Sequence, residues 1–168
     1  MTLKGKARRF KIDDDINTDY IISGRYKFKI QDPVELAKYV MEDLDPNFSQ
    51  RIKKGDFIVA GKNFGCGSSR EQAPLAIKYA GISAILAKSF ARIFYRNAFN
   101  LGLPLVECDT SEIKEGNELE LDLDRGTLKN KTKNQEIKIK PLPKVMQILL
   151  SDGGLVEHFK KYGGFKLT

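Results

Sequence analysis

The stretch of the chain best equipped for chemistry runs Gly61, Lys62, Asn63, Phe64, Gly65, Cys66, Gly67, Ser68, Ser69, Arg70, Glu71. Three glycines within seven residues allow positive φ and let a ligand approach the backbone closely. Ser68 and Glu71 have the Ser-x-x-Glu spacing of a capping box, which predicts a helix capped by Ser68 with Glu71 reaching back. The loop thus delivers two hydroxyls and a guanidinium, on Ser68, Ser69 and Arg70, to a helix N-terminus. Unpaired amides and the positive end of the helix dipole favour an anion there, and Arg70 can clamp a carboxylate through two parallel hydrogen bonds. Pro74 cannot donate to the carbonyl of Arg70, so the first turn must be kinked or the regular helix must start nearer Pro74. A phosphate loop is not completed, because no Gly-Lys-Ser/Thr ending follows Gly67. The dinucleotide fingerprint also fails, since Arg70 stands where its third glycine belongs.

Other reactive side chains read as structural. Cys66 lies beside the loop's hydroxyls but reads as a small packing residue in a tight turn, and Cys108 is far from it in sequence. Two cysteines suggest neither a disulfide framework nor a metal cage. His158, the only histidine, has no second histidine or nearby cysteine and is given no chemical role. Arg92, Tyr95 and Arg96 share a helix with a well-defined apolar face and read as fold or interface contacts.

The elements that must position the loop follow from hydropathy patterning. Residues 57–60 form an uninterrupted apolar run between glycines, which predicts a strand buried on both faces and feeding the loop directly. Next come a helix stopping at Gly81, a buried strand at 84–87, a helix capped by Ser89 and stopped by Gly102, and a buried strand at 103–106. That alternation argues a parallel sheet with crossover helices. Residues 6–12 alternate charged and apolar and predict a strand, followed by a short piece at 17–22. Asp32, Pro33 and Glu35 mark a helix start, with Asp32 as cap and Glu35 reaching back. Leu119, Leu121 and Leu123, a turn at Asp124, Arg125 and Gly126, then Ile137 and Ile139 among lysines, predict an antiparallel ribbon. Two short helices separated at Gly153 and Gly154 finish the chain.

At 168 residues the sequence is long enough for one domain, 1–168, with a core that needs no metal or disulfide staple. No apolar run approaches the roughly 18 residues of a membrane helix and no targeting segment is recognised, so a cytoplasmic protein without a membrane partner is expected. The net charge of +7 can attract nucleic acid, anionic lipid or a small polycarboxylate. Lys129, Lys131, Lys133, Lys138 and Lys140 fall on the ribbon, where a solvated face explains them. A basic nucleic-acid-binding module is the alternative from a different class, but it lacks a binding motif and leaves the Gly-Ser-Ser-Arg loop unexplained.

Three motifs in order, NTDYI at 17–21, GKNFGCGSSRE at 61–71 and AKSFARIFYRNAFNLGLPLVE at 87–107, closely resemble the small subunits of isopropylmalate isomerase (3-isopropylmalate dehydratase) and homoaconitase. The same domain is similar to the swivelling C-terminal domain of aconitase, and the resemblance covers essentially the whole chain. It implies an α/β, three-layer β/β/α swivelling domain with a parallel core sheet plus an antiparallel sheet. It further implies a hydro-lyase that dehydrates and rehydrates a small hydroxy-dicarboxylate in leucine biosynthesis. In the family a 4Fe–4S cluster with an open iron position acts as Lewis acid. Such a cluster needs at least three thiolates, so it is expected in a large partner subunit, with no cofactor or metal in this chain.

Carried over by motif position, the resemblance makes Ser68 the base that removes the proton beside a carboxylate. Such a serine must act as an alkoxide stabilised by amides and cations. Ser69 becomes a substrate hydrogen-bond donor and Arg70 the carboxylate clamp, with Gly67 and Thr18 also facing substrate. Asp19 orients Arg70 or a histidine of the partner. Ile22 replaces a serine found in aconitase three residues after this aspartate. The segment Tyr26, Lys27, Phe28, Lys29 corresponds to the loop that meets the substrate's variable group. If extended, it puts Lys27 and Lys29 on one side and Phe28 on the other, and Phe28 inward suits an isopropyl group. The loop matches neither the wholly apolar nor the arginine-bearing family pattern, so a homoaconitase or 2,3-dimethylmalate dehydratase small subunit stays open as an alternative.

Overall fold

The computed structural model describes residues 1–167, apart from the side chain of Lys27. Strands β1 (Thr2–Arg8), β2 (Phe57–Val59), β3 (Ala84–Ala87) and β4 (Leu105–Glu107) make the parallel half of one seven-stranded sheet. Strands β5 (Glu118–Asp122), β6 (Thr127–Asn130) and β7 (Gln135–Lys138) make the antiparallel half. Their order is β4-β3-β2-β1-β5-β6-β7. The apolar runs of β2 and β3 are buried at every position, as strands covered on both faces must be.

The two halves share β1 rather than lying apart. Ala7 and Arg8 pair in parallel with Phe57 and Ile58, while Thr2 to Lys6 pair antiparallel with Asp122 to Glu118. The sheet curls until its ends meet, through an antiparallel bridge between Cys108 and Ile139 and the Lys140 N–H donating to the Glu107 carbonyl at 3.0 Å. Asp56 pins the junction, accepting from Arg8 Nε at 2.8 Å and from the backbone N–H groups of Lys53 and Lys6 at 2.9 and 3.1 Å.

The expected strand at 6–12 is displaced to Thr2–Arg8. Arg9 ends it by turning its guanidinium onto the carbonyls of Thr110 and Ile113, at 2.6 and 2.8 Å, and onto Asp13. The last parallel strand starts at Leu105, not 103, because the Leu103 N–H donates to the Ala98 carbonyl.

Four short helices, α1 (Thr18–Ile21), α2 (Gly24–Lys27), α3 (Pro33–Ala37) and α4 (Phe48–Arg51), precede β2. Asp32 caps α3 as its side chain predicts, and Asn17 caps α1, where the sequence marked only a short piece, but Glu35 pairs with Lys38 instead of reaching back. The crossovers are α5 (Gln72–Tyr79) and α6 (Arg92–Asn100), which bury Ala73, Ala76, Ile77, Phe94, Ala98 and Phe99. At the end of the chain, α7 (Lys144–Ser151) and α8 (Leu155–Tyr162) pack on α6. The buried His158 fastens the tail: its Nδ1 meets Asp152 Oδ2 at 2.7 Å, and its Nε2 accepts from the Lys166 N–H at 2.9 Å. On the ribbon and beyond it, Lys131, Lys133 and Lys140 pair with Glu120, Glu112 and Glu107.

Candidate functional site

The loop 61–71 leaves β2 and is held from two sides by backbone hydrogen bonds. On one side the N–H groups of Gly65 and Thr18 donate to the carbonyls of Ile16 and Cys66, at 2.8 and 2.9 Å. On the other the N–H groups of Phe64 and Ala91 donate to the carbonyls of Ser89 and Phe64, at 3.1 and 2.9 Å. The three motifs separated in the chain therefore meet as one layer. Gly65 has φ +84° and lies so near Phe94 that a Cβ would sit 2.2 Å from its ring, so no other residue fits.

These tertiary bonds explain why two predicted caps do not form. The Ser68 carbonyl accepts from the Thr18 hydroxyl at 2.9 Å, so the segment stays pinned to α1, and α5 begins only at Gln72 with no side-chain cap. Pro74 fixes that later start, as its missing N–H requires. Ser89 does not cap α6, whose cap is Ala91; its hydroxyl accepts from the Asn63 N–H at 2.8 Å instead.

A cavity of about 270 Å³ opens beside the loop, lined by Thr18, Gly67, Ser68, Ser69 and Arg70 and by the start of α6. Thr18 is buried, whereas Gly67, Ser68 and Ser69 are exposed. Gly67 adopts φ +92°. Arg70 is largely enclosed and its guanidinium pairs with the exposed carboxylate of Asp19, which α1 presents one residue after Thr18. Two side chains that sequence reasoning did not place here also line the cavity, Arg92 and Ile93 at the start of α6. Ile93 is 50% exposed, so it is not on the packed face of that helix. Nothing local in the sequence singles out Arg92; only the fold brings the start of α6 against the loop.

The 26–29 segment is not extended. Gly24–Lys27 is helical, and Phe28 continues the turn in the αR region. Tyr26 faces away from the cavity, stacking on Tyr39 with ring centroids 4.1 Å apart and donating to Glu42 at 3.1 Å. The adjacent Arg25 pairs with Asp43. Phe28 is 80% exposed and lines a second cavity, about 520 Å³, that also touches Ile30, Leu36, Ser69, Arg70 and Leu75. Lys29 is exposed, and the side chain of Lys27 lies outside what is described.

Burial first, then the charge of Asp15, pushes the Cys66 thiol above its ordinary value, so it is no ready thiolate. Cys108, buried at the sheet seam, is pushed up to about 12 by burial and then by Asp109. Among the described residues no group of three or more His, Cys, Asp or Glu converges to hold a metal ion, and no helix is long and apolar enough to cross a membrane.

The layer formed by the three motifs is shared with known proteins. Residues 23–110 match the aconitase C-terminal domain; the Thr18–Asp19 pair precedes that span. A 3-isopropylmalate dehydratase small subunit of Archaeoglobus fulgidus is 56% identical over 165 residues, covering 98% of this chain and all of that protein. The corresponding subunit of Caldicellulosiruptor saccharolyticus is 56% identical over 162 residues, covering 95% of this chain and 92% of its own. The crystal structure of a 3-isopropylmalate dehydratase from Methanocaldococcus jannaschii, 50% identical, superposes with a TM-score of 0.91 over 97% of this chain and 96% of that one. Near-complete coverage at this identity means that the chain belongs to the aconitase C-terminal domain family, among the small subunits of 3-isopropylmalate dehydratase.

Proposed function

We propose that this chain is the small subunit of a cytoplasmic 3-isopropylmalate dehydratase, which interconverts 2- and 3-isopropylmalate by removing and re-adding water in leucine biosynthesis. The observation that carries the reading is the cavity wall on which Ser68, Ser69 and Arg70 stand together, fixed by Thr18 and Asp19. The chain's own residues do not fit a 4Fe–4S cluster, with one thiol in the loop, one at the sheet seam and neither favoured as thiolate. The cluster is assigned to a large partner subunit.

What this chain supplies is proton transfer and substrate placement. Arg70 grips a carboxylate of the hydroxy-dicarboxylate, and the Asp19 carboxylate holds the guanidinium in the plane required for two-point contact. Ser69 and the Gly67 backbone complete the hydrogen bonds to substrate. Ser68 then removes the proton from the carbon beside that carboxylate as hydroxide leaves the neighbouring carbon, giving the alkene and water; on re-addition the proton goes to the carbon that lost the hydroxyl and the hydroxyl to the carbon that lost the proton. The loop amides and neighbouring cations favour the alkoxide form of Ser68 once substrate and the large subunit exclude water from this exposed wall.

Assembled with its large subunit, Ser68→Ala should lower kcat by roughly 10²- to 10⁴-fold, the usual contribution of a general base, with KM changed only a few-fold. The chain alone should show no turnover. Near-normal kcat in the Ser68 variant, or turnover without a partner, would remove this assignment.

A further inference from the structure

We infer that Arg92 is a second carboxylate-binding residue of this site. The inference rests on the proposed reaction of a hydroxy-dicarboxylate. Arg92 lines the same 270 Å³ cavity as Ser68, Ser69 and Arg70 but reaches it from α6 instead of the glycine-rich loop. The charge of Arg70 is already balanced by Asp19. Arg92 has no such partner: it is exposed, the first turn of its helix contains no acid, and no carboxylate among the described residues is within ion-pair distance. A cation at the first position of a helix also faces the positive end of the dipole, an arrangement that is unfavourable until an anion sits between them.

Among the described residues the charges at the cavity wall therefore sum to one uncompensated positive charge, contributed by Arg92. A dianionic substrate needs more than the neutral Arg70–Asp19 pair provides. With Arg70 holding one carboxylate, Arg92 holds the other, and the hydroxyl-bearing carbons lie between the two guanidinium groups and over Ser68. Arg96, one turn further along α6, is exposed but does not line the cavity, so charge on this helix is not by itself enough.

The test uses the enzyme assembled with its large subunit and a panel of 2- and 3-substituted malates, each variant being compared on every compound the wild type turns over. Arg92→Gln should raise KM roughly 10- to 100-fold, as loss of a charge-assisted hydrogen bond does, with kcat falling less than about 5-fold. Arg92→Lys should recover part of the KM, and Arg96→Gln should stay within about 2-fold of wild type on both constants. The decline of kcat/KM with added salt should be shallower in Arg92→Gln than in wild type. An unchanged KM in Arg92→Gln overturns the inference, as does loss of large-subunit capture by that variant, which would make Arg92 an interface residue. A wrong choice of substrate side group appears instead in the wild type, as turnover of a different malate from the panel.

Discussion

Arg70 and Asp19 carry opposite exposures, with side chains 16% and 65% accessible, so the cation is set in the wall and the carboxylate stands at its edge. In the proposed site that asymmetry makes Arg70 the partner that binds substrate and Asp19 the one that aims it. Arg70→Lys should lower kcat/KM by at least about 100-fold with losses in both constants, since a point charge on a flexible stem replaces a planar fork. Asp19→Asn keeps the size and loses only the charge, and should cost roughly 3- to 10-fold, mostly in KM, consistent with weakened orientation of a retained clamp. Steady-state kinetics of the assembled variants would check both; equal damage from the two changes would make Asp19 a direct participant. Arg70 stands out in the sequence as a candidate anion clamp because a glycine-rich loop ending Ser-Ser-Arg limits what its side chains can do, whereas Asp19 is singled out only by the family resemblance, since an aspartate beside a strand turn otherwise reads as part of the turn. Arg92 is not, because a charged residue on a helix with a well-defined apolar face reads as a fold or interface contact until the fold shows which cavity its first turn adjoins.

At the scale of elements, the sequence signals that succeeded were local and met no tertiary competitor. Asp32 caps its helix, and Gly126 makes its turn, because each needs only its immediate neighbours. Ser68 and Ser89 carry similar signals, yet their polar groups are used by Thr18 and Asn63 from distant segments, and the helices start later. The 26–29 segment failed for the same reason. Its extended reading assumed nothing held it, whereas the Tyr26–Tyr39 stack and the Arg25–Asp43 pair coil it onto the 39–43 turn. This anchor makes Tyr26 a positioning residue for Phe28. Tyr26→Phe retains the stack and should leave selectivity within about 2-fold. Tyr26→Ala removes an aromatic pair and should shift the ratio of kcat/KM between isopropylmalate and a tricarboxylate substrate by roughly 2- to 10-fold, with thermal stability little changed. An unaltered ratio in Tyr26→Ala would show that Phe28 keeps its place without the stack.

For the molecule as a whole, strand alternation made the parallel half and the late ribbon legible, but nothing local showed that β1 belongs to both. That sharing concentrates the fold's dependence on one buried carboxylate, Asp56, which ties Arg8 of β1 to the turn entering β2. Burial by itself would raise the Asp56 carboxyl; the Lys53 N–H, the Arg8 guanidinium and the Lys6 N–H outweigh it and hold the group below its ordinary 3.8. A carboxylate bound more strongly when charged stabilises the fold fully above 3.8, and that contribution disappears as pH falls through its lower folded value. Replacing it by Ala leaves Arg8 facing only Glu115 and leaves two N–H donors without their acceptor, a loss of about 3 to 5 kcal/mol by analogy with broken buried pairs. For a domain of this size that is a fall in melting temperature on the order of 10 °C at neutral pH. Asp56→Asn keeps an acceptor but no charge and should lie between the two. Urea unfolding of the three proteins at pH 7, 5 and 3 should show a wide, constant separation between wild type and Asp56→Asn at the two higher values and a narrower one at pH 3. A gap that grew on acidification would mean that Asp56 is carried in the fold as the neutral acid, and that Arg8 is held by Glu115 alone.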